Sequence, residues 1–409
     1  MRSNWNFAEP AVSVYGLAET VRRTMAQGTR DADDGQVRRC CEEAVLRCRE
    51  APLLCAQTKL RLARLVFCAL RCELEILQDL ADDPAVTEIM VNGPDRIFIE
   101  RDGETFRADL SFETAERLNQ VIQRLAARVG REMNELHPIV DARLSDGSRV
   151  NAVHAGIAID GPVLTIRKFN RSRMTMEDLV RQGDVCRDAS VLLQKLTAAG
   201  YNIFVSGGTS SGKTTFLNVL SDFIPGRERV VVIEDSAELQ IRGIPNLVRM
   251  EARNANAQGK GAVPIRQLIR ASLRQRPDRI IVGEVRGEEV VDMLAAMSTG
   301  HDGSLSTGHA NSVRGMIGRL ETLHISSSGF PAESVRAQIA EAIDVFVHLA
   351  RTPDGHRRVV EICECAGLKD GEILLNPLYC YDPETGLTAT GSRLQKTSKL
   401  RLHGLGEEG

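Results

Sequence analysis

The chain has 409 residues, 43% of them apolar and 26% charged, with a formal net charge of −3. That length allows two or three domains with full-sized cores, and the balanced charge supplies no general field for nucleic acid or an acidic membrane surface. An aromatic content of 4% argues against a surface built on base stacking, and no apolar run reaches the roughly 18 residues of a spanning helix. The opening Met1-Arg2-Ser3-Asn4-Trp5-Asn6 leads into no signal-peptide core. The expected location is therefore cytoplasmic, with any membrane role peripheral and through a partner. The ten cysteines form no C-x-x-C pair, so neither a zinc ribbon nor a thioredoxin-like site is expected. Cys41, Cys48, Cys55, Cys68 and Cys72 recur at helical spacing and read as small apolar packing residues.

Residues 1–80 read as a polar arm, to about Gly35, followed by a helical region. The arm's composition suggests partial order at most. Leu62, Val66, Ala69 and Leu77 then fall at helix spacing. After Asp82-Asp83-Pro84 the period shortens. Thr87–Asn92 and Arg96–Glu100 read as strands, Glu113 to about Arg131 as a helix with Ser111 as its cap, and Asp146-Gly147 as a hairpin turn. Val163–Phe169 closes an α+β domain over residues 81–170. Residues 171–184 are polar and basic and read as a linker.

From residue 185 to 409, helices alternate with buried strands, which predicts a doubly wound α/β unit with its ligand at the strand ends. Tyr201–Ser206 is a strand, and Thr215–Ser221 a helix. Between them, Gly207-Gly208-Thr209-Ser210-Ser211-Gly212-Lys213-Thr214-Thr215 fits G-x-x-x-x-G-K-[ST]. In such a loop the glycines let backbone N–H groups turn inward around a phosphate, and the helix N-terminus adds partial positive charge. Lys213 would reach the β/γ-phosphates and the Thr214 hydroxyl would ligate Mg²⁺, so ATP and Mg²⁺ are the expected ligands.

Two further strands, Val230–Glu234 and Arg279–Val282, run into acids: Glu234, Asp235 and Glu238 in the first case and Glu284 in the second. An acid at a strand end beside a phosphate loop sits where the metal or attacking water would be, although strand-end acids also merely solvate. His301 and His309 lie in a glycine-rich stretch, where histidine commonly only bonds the loop. Arg266, Arg270 and Arg274 line one helix face; this is a solvated or subunit-facing stripe, or a contact to a partner or nucleic acid. The tail from Asp344 turns to hairpins, with Pro353-Asp354-Gly355 and Asp370-Gly371 as turns.

The loop Gly207–Thr215, the acidic box Glu234–Glu238, the run Arg276–Gly287 and the stretches Thr299–Ser304 and Thr307–Asn311 together resemble the type II/type IV secretion ATPase superfamily (GspE/PilT-like). The resemblance looks closest to the CpaF-like branch of tight-adherence (Flp) pilus ATPases. Thr87–Gly93 and Asp146–Asn151 resemble that family's N-terminal domain. The resemblance implies a RecA-like P-loop ATPase domain preceded by an α+β N-terminal domain and a helical N-terminal region. It also implies a homohexamer that drives pilus assembly or secretion beneath an inner-membrane platform protein. By the same resemblance Glu234 or Glu238 handles the attacking water, and Glu284 orders Mg²⁺ and water. His309 senses nucleotide state, and Arg143, Arg149 and Arg167 approach the phosphates. The second-strand aspartate is replaced by Gly283-Glu284, a variant the superfamily itself uses. The four-cysteine element of many type II members is missing, so no zinc is expected.

A nucleic-acid-translocating P-loop motor is the alternative, and the net charge and few aromatics stand against it. A small-molecule kinase is a third class; two acidic strand ends followed by the histidine stretch favour hydrolysis over transfer to an acceptor.

Overall fold

The computed structural model describes residues 12–26, 33–101, 103–144, 146–169, 174–253, 255 and 260–406. The parts of the expected arm at 1–11 and 27–32, residue 170 at the end of the expected α+β domain, and the expected linker at 171–173 lie outside the described residues. The chain divides into two compact units, Met1–Asn170 and Arg171–Gly409.

The first unit opens with helices α1 (Val14–Ala26), α2 (Asp34–Arg47), α3 (Ala56–Arg71) and α4 (Gln78–Asp82). Strands β1 (Val86–Asn92), β2 (Ile97–Arg101) and β3 (Glu104–Arg107) follow, then α5 (Ala115–Arg128), β4 (Ile139–Arg143), β5 (Arg149–Val153) and β6 (Val163–Arg167). The six strands form one sheet in the order β3-β2-β1-β6-β5-β4. Val66 of α3 and Leu77, just before α4, share one core with Ile89, Leu118, Ile122 and Ile166.

Three local expectations are corrected here. Val14–Ala26 is a helix where a partly ordered arm was expected, because Tyr15, Ala18 and Val21 recur every three residues and are buried. The Tyr15 hydroxyl donates to Glu75 Oε2 at 2.7 Å, which ties α1 to the core. The acids expected to end that arm include the N-cap of α2, with Asp33 and Gln36 forming a reciprocal capping box. The cap of α5 is Thr114 rather than Ser111, its side chain accepting from the Arg117 N–H. The expected hairpin at Asp146-Gly147 is present: β4 pairs antiparallel with β5, and Gly147 takes φ +96°, a conformation that favours glycine.

The second unit begins with α6 (Met176–Gln182), inside the stretch expected to be a linker. Thr175 and Asp178 form a capping box, and Met176 and Leu179 are buried, so this turn belongs to the unit's core. After it come α7 (Arg187–Ala198), β7 (Ile203–Gly207), α8 (Lys213–Ser221), β8 (Val230–Glu234), β9 (Leu247–Glu251), α9 (Ile265–Ser272), β10 (Arg279–Val282), α10 (Glu289–Met297) and β11 (Leu305–His309). The chain continues through α11 (Val313–Ser328), α12 (Ala332–Ala342), β12 (Val345–Arg351), β13 (Arg357–Lys369), β14 (Glu372–Asp382), β15 (Gly386–Ala389) and α13 (Ser398–Leu402).

These strands form a nine-stranded sheet in the order β15-β14-β13-β12-β7-β11-β10-β8-β9. The stretch from β12 to β9 is parallel and the tail strands are antiparallel. β7, β8 and β10 are buried at every position, as parallel strands covered on both faces require. This is the expected α/β fold, a RecA-like unit preceded by helical and α+β regions. None of the ten cysteines is in a disulfide; Cys41, Cys68, Cys363 and Cys365 are buried, while Cys55 is exposed and caps α3 through its sulfur. Among the described residues no helix is long and apolar enough to cross a membrane.

Candidate nucleotide site

The glycine loop leaves the end of β7, flanked by β11 and β12. A Cβ on Gly207 would stand 2.5 Å from the Leu349 carbonyl oxygen and 2.5 Å from Ser211 Oγ, so only glycine fits. Ser210 at φ +57° and Gly212 at φ +93° turn the loop back on itself. No side chain caps the N-terminus of α8, so the N–H groups of its first turn are available to an anion. Gly208 is half-buried, Thr209, Ser210 and Thr215 are exposed, Ser211 is buried, and Thr214 is half-buried at the start of α8.

Lys213 is buried, and its Nζ donates to the carbonyls of Gly208 at 2.7 Å and Gly207 at 3.2 Å. It also lies 3.3 Å from His309 Nδ1. An ammonium group only donates, so Nδ1 accepts and Nε2 carries the ring proton. Nε2 in turn lies 2.8 Å from Glu284 Oε1. The parallel neighbours β7, β11 and β10 thus bring Lys213, His309 and Glu284 into one line of close polar contacts. Burial pushes the His309 pKa down, the Lys213 charge adds to this, and Glu284 pulls the other way. The neutral ring agrees with the bonding pattern.

Burial raises the Glu284 carboxyl, but its bond to Arg286, together with the Arg286 and Lys213 charges, outweighs that and holds it below its ordinary value. Arg286 Nη2 lies 2.7 Å from Glu284 Oε2. Glu234 differs. It is 4% exposed, and its Oε1 accepts the backbone N–H groups of Glu238 and Leu239, both at 2.8 Å. Burial pushes its pKa up, and those two N–H bonds only partly offset the shift. A Cβ on Gly283 would come within 2.9 Å of Glu234 Cγ, so the glycine before Glu284 makes room for the neighbouring strand's acid. Glu238 is half-buried on the loop that Glu234 anchors.

The oxygen donors Thr214 and Glu284 suit a hard cation such as Mg²⁺. Among the described residues no group of three or more His, Cys, Asp or Glu could hold a metal ion. A divalent ion here would depend on nucleotide oxygens for the rest of its shell, which is the usual way Mg²⁺ is held.

Arg143, Arg149 and Arg167 belong to the first unit, where strand register places them side by side. Arg149 pairs with Arg143 on β4 and with Arg167 on β6. Residues directly opposite on neighbouring strands share a face, so the three arginines form a row of residues, continued by Glu88 opposite Arg167. Asp146 is occupied by the Ser148 N–H at 2.9 Å and hydroxyl at 2.8 Å, and Asp141 by Asn151 at 2.9 Å.

The other candidates take quieter places. His301 Nδ1 donates to the Ala296 carbonyl at 3.1 Å, a loop-bonding role. Arg266 bonds Glu288 at 2.8 Å and Asp292 at 2.7 Å, and Arg270 bonds Asp292 at 2.7 Å. Much of the expected arginine stripe is therefore paired within the unit. Two residues were given no role in the sequence. Arg286 was legible in principle, since residues i and i+2 of an extended segment share a face. His348 is buried on β12 with Nδ1 2.9 Å from Ser206 Oγ, a contact across 142 positions that carries no local signal.

The parallel sheet, the glycine loop at the end of β7 and the acids ending its neighbours define a RecA-like P-loop unit. Residues 72–383 match the family described as Type II/IV secretion system protein, and the chain belongs to that family. A Mycobacterium tuberculosis protein named for conjugal transfer is 34% identical over 332 residues, 80% of this chain and 93% of its own. The type IV secretion system protein PtlH of Bordetella pertussis is 32% identical over 309 residues, 69% of this chain and 91% of its own. Among solved structures, the pilus retraction motor PilT with bound ADP aligns with a TM-score of 0.51 at 19% identity, covering 81% of this chain and 86% of that one. At that identity the likeness concerns the fold alone.

Proposed function

We propose that the chain is the ATP-hydrolysing motor of a type II/IV secretion or Flp pilus assembly system, of the CpaF-like branch. It would work as a homohexamer at the cytoplasmic face of the membrane, docked on an inner-membrane platform protein. The observation that carries the reading is the chain Lys213–His309–Glu284 beside a glycine loop.

The backbone of Gly207–Gly212 and the first turn of α8 would cradle the phosphates. Lys213 would exchange its carbonyl and His309 partners for the β/γ-phosphates. Thr214 and Glu284 would hold Mg²⁺, which when bound neutralises charge on the transferring phosphoryl group. Glu238 suits the task of orienting the attacking water and taking its proton better than Glu234, whose Oε1 is committed to backbone N–H groups. The row Arg143–Arg149–Arg167 would supply positive charge to the transition state. The internal pairing of Arg266 and Arg270 weighs against a nucleic-acid motor.

The reading is tested with Glu284→Gln. With ATP and Mg²⁺ this variant should retain nucleotide, turn it over at about a hundredth of the wild-type rate or less, and run as a six-copy assembly in light scattering. Normal turnover in the variant, or a monomer under every nucleotide condition, would overturn the catalytic and the ring assignments respectively.

A further inference from the structure

We infer that Arg286 is the positioning residue for Glu284, a role that rests on the ATPase reading above. Glu284 has two carboxylate oxygens and two distinct neighbours. Oε1 faces His309 Nε2 at 2.8 Å, and Oε2 is held by Arg286 Nη2 at 2.7 Å. The Arg286 hydrogen bond anchors one carboxylate oxygen, and the His309 ring lies against the other. The other terminal nitrogen of Arg286, Nη1, lies 3.8 Å from Asp235 Oδ2. One guanidinium therefore spans the acid after β10 and the acidic box after β8.

The exposed half of Arg286 invites a blander reading, because a surface ion pair contributes only ~0–1 kcal/mol. The backbone argues otherwise. The N–H groups of Arg286 and Gly287 both donate to Glu289 Oε1, at 2.5 Å and 2.8 Å. Glu289 is 8% exposed in the first turn of α10. The backbone at Arg286 is thus pinned by a buried carboxylate, which fixes the point from which its side chain reaches Glu284. Glu284 itself has only 19% of its side chain exposed, so the pair is screened on one side. Arginine suits the task because its planar fork can serve two acids at fixed angles, which lysine cannot.

The experiment uses the full chain as wild type, Arg286→Ala and Arg286→Lys. Three quantities are measured: turnover at saturating ATP, affinity for a non-hydrolysable analogue, and the nucleotide-free crystal structure of each variant. Misplacing Glu284 should lower kcat about ten- to hundredfold in Arg286→Ala. Analogue affinity should stay within about threefold, the signature of a loss confined to the transition state. Arg286→Lys should recover part of kcat, and in the alanine variant the Glu284 carboxylate should leave its place beside His309. Undiminished kcat in Arg286→Ala, or a Glu284 carboxylate still 2.8 Å from His309 Nε2 as in the wild type, overturns the assignment. A wild-type chain that hydrolyses no ATP overturns the ATPase reading instead, and the crystal structures still decide whether Arg286 sets the position of Glu284.

Discussion

His309 Nε2 faces Glu284 Oε1 at 2.8 Å while the other nitrogen of the same ring takes a hydrogen bond from Lys213. One neutral imidazole thus joins the lysine of the phosphate loop to the acid of the next strand but one. In the proposed reading, Lys213 moving to a phosphate would take the donor from His309, and Glu284 would feel the change through the ring.

His309→Ala should therefore lower ATP turnover by about ten- to hundredfold. Nucleotide affinity should change little, because the loop and Lys213 remain. Phosphate release and analogue binding, measured on the same preparation, check this. Full turnover in the variant would leave His309 a packing residue.

Glu234 and Glu238 should separate cleanly. Glu238→Gln should hydrolyse slowly in a protein of normal stability. Glu234→Gln keeps an acceptor oxygen for the Glu238 and Leu239 N–H groups, so it should fold and retain more activity than Glu238→Gln. Glu234→Ala removes that acceptor and leaves two N–H groups without it, a loss of about 1–3 kcal/mol each when buried. Melting curves and turnover for the three variants check the assignment; a greater loss of activity in Glu234→Gln than in Glu238→Gln would reverse it.

Much of this site was legible locally. The glycine loop, the apolar strands that end in Glu234 and before Glu284, and the Asp146-Gly147 turn all carry their signal within a few residues. What was not legible depends on distant pairing. The row Arg143–Arg149–Arg167 exists only because β6 pairs with β5 in one register. His348 meets Ser206 through the parallel pairing of β12 with β7. Helices α1 and α6 carry weak local signals: the buried face of α1 is only Tyr15, Ala18 and Val21, and α6 is a short helix with Met176 and Leu179 its buried residues. Their capping and packing residues, such as Thr175 with Asp178 and Tyr15 with Glu75, were the better guide.

Arg149→Ala should cut turnover by about a thousandfold while leaving analogue binding near normal. A melting curve close to that of the wild type would show that the loss is not one of folding. Turnover together with a melting curve checks this. Unchanged turnover would shift the role to Arg143 and Arg167.

Stability should fall on the acid side partly through His348. Burial lowers its pKa, as does the Lys213 charge, while Glu361 and the bond to the Asn311 backbone pull it up; the net shift is downward. The unfolded chain, with histidine near its ordinary value of about 6.5, then binds more protons than the fold as pH falls. The contribution is fully present above that value and is lost as pH drops through the lower folded value. The melting temperature of wild type relative to His348→Asn should narrow from pH 8 towards pH 5. A difference that stays constant over this range would show that His348 does not titrate with folding.

The central claim is that this chain hydrolyses ATP through its glycine loop, and steady-state phosphate release by wild type and Lys213→Ala tests it most directly. With ATP and Mg²⁺, the wild type should release phosphate, and the variant should lose at least about a hundredfold of that rate and bind nucleotide more weakly. A wild type that releases none, or a variant that keeps pace with it, would contradict the account.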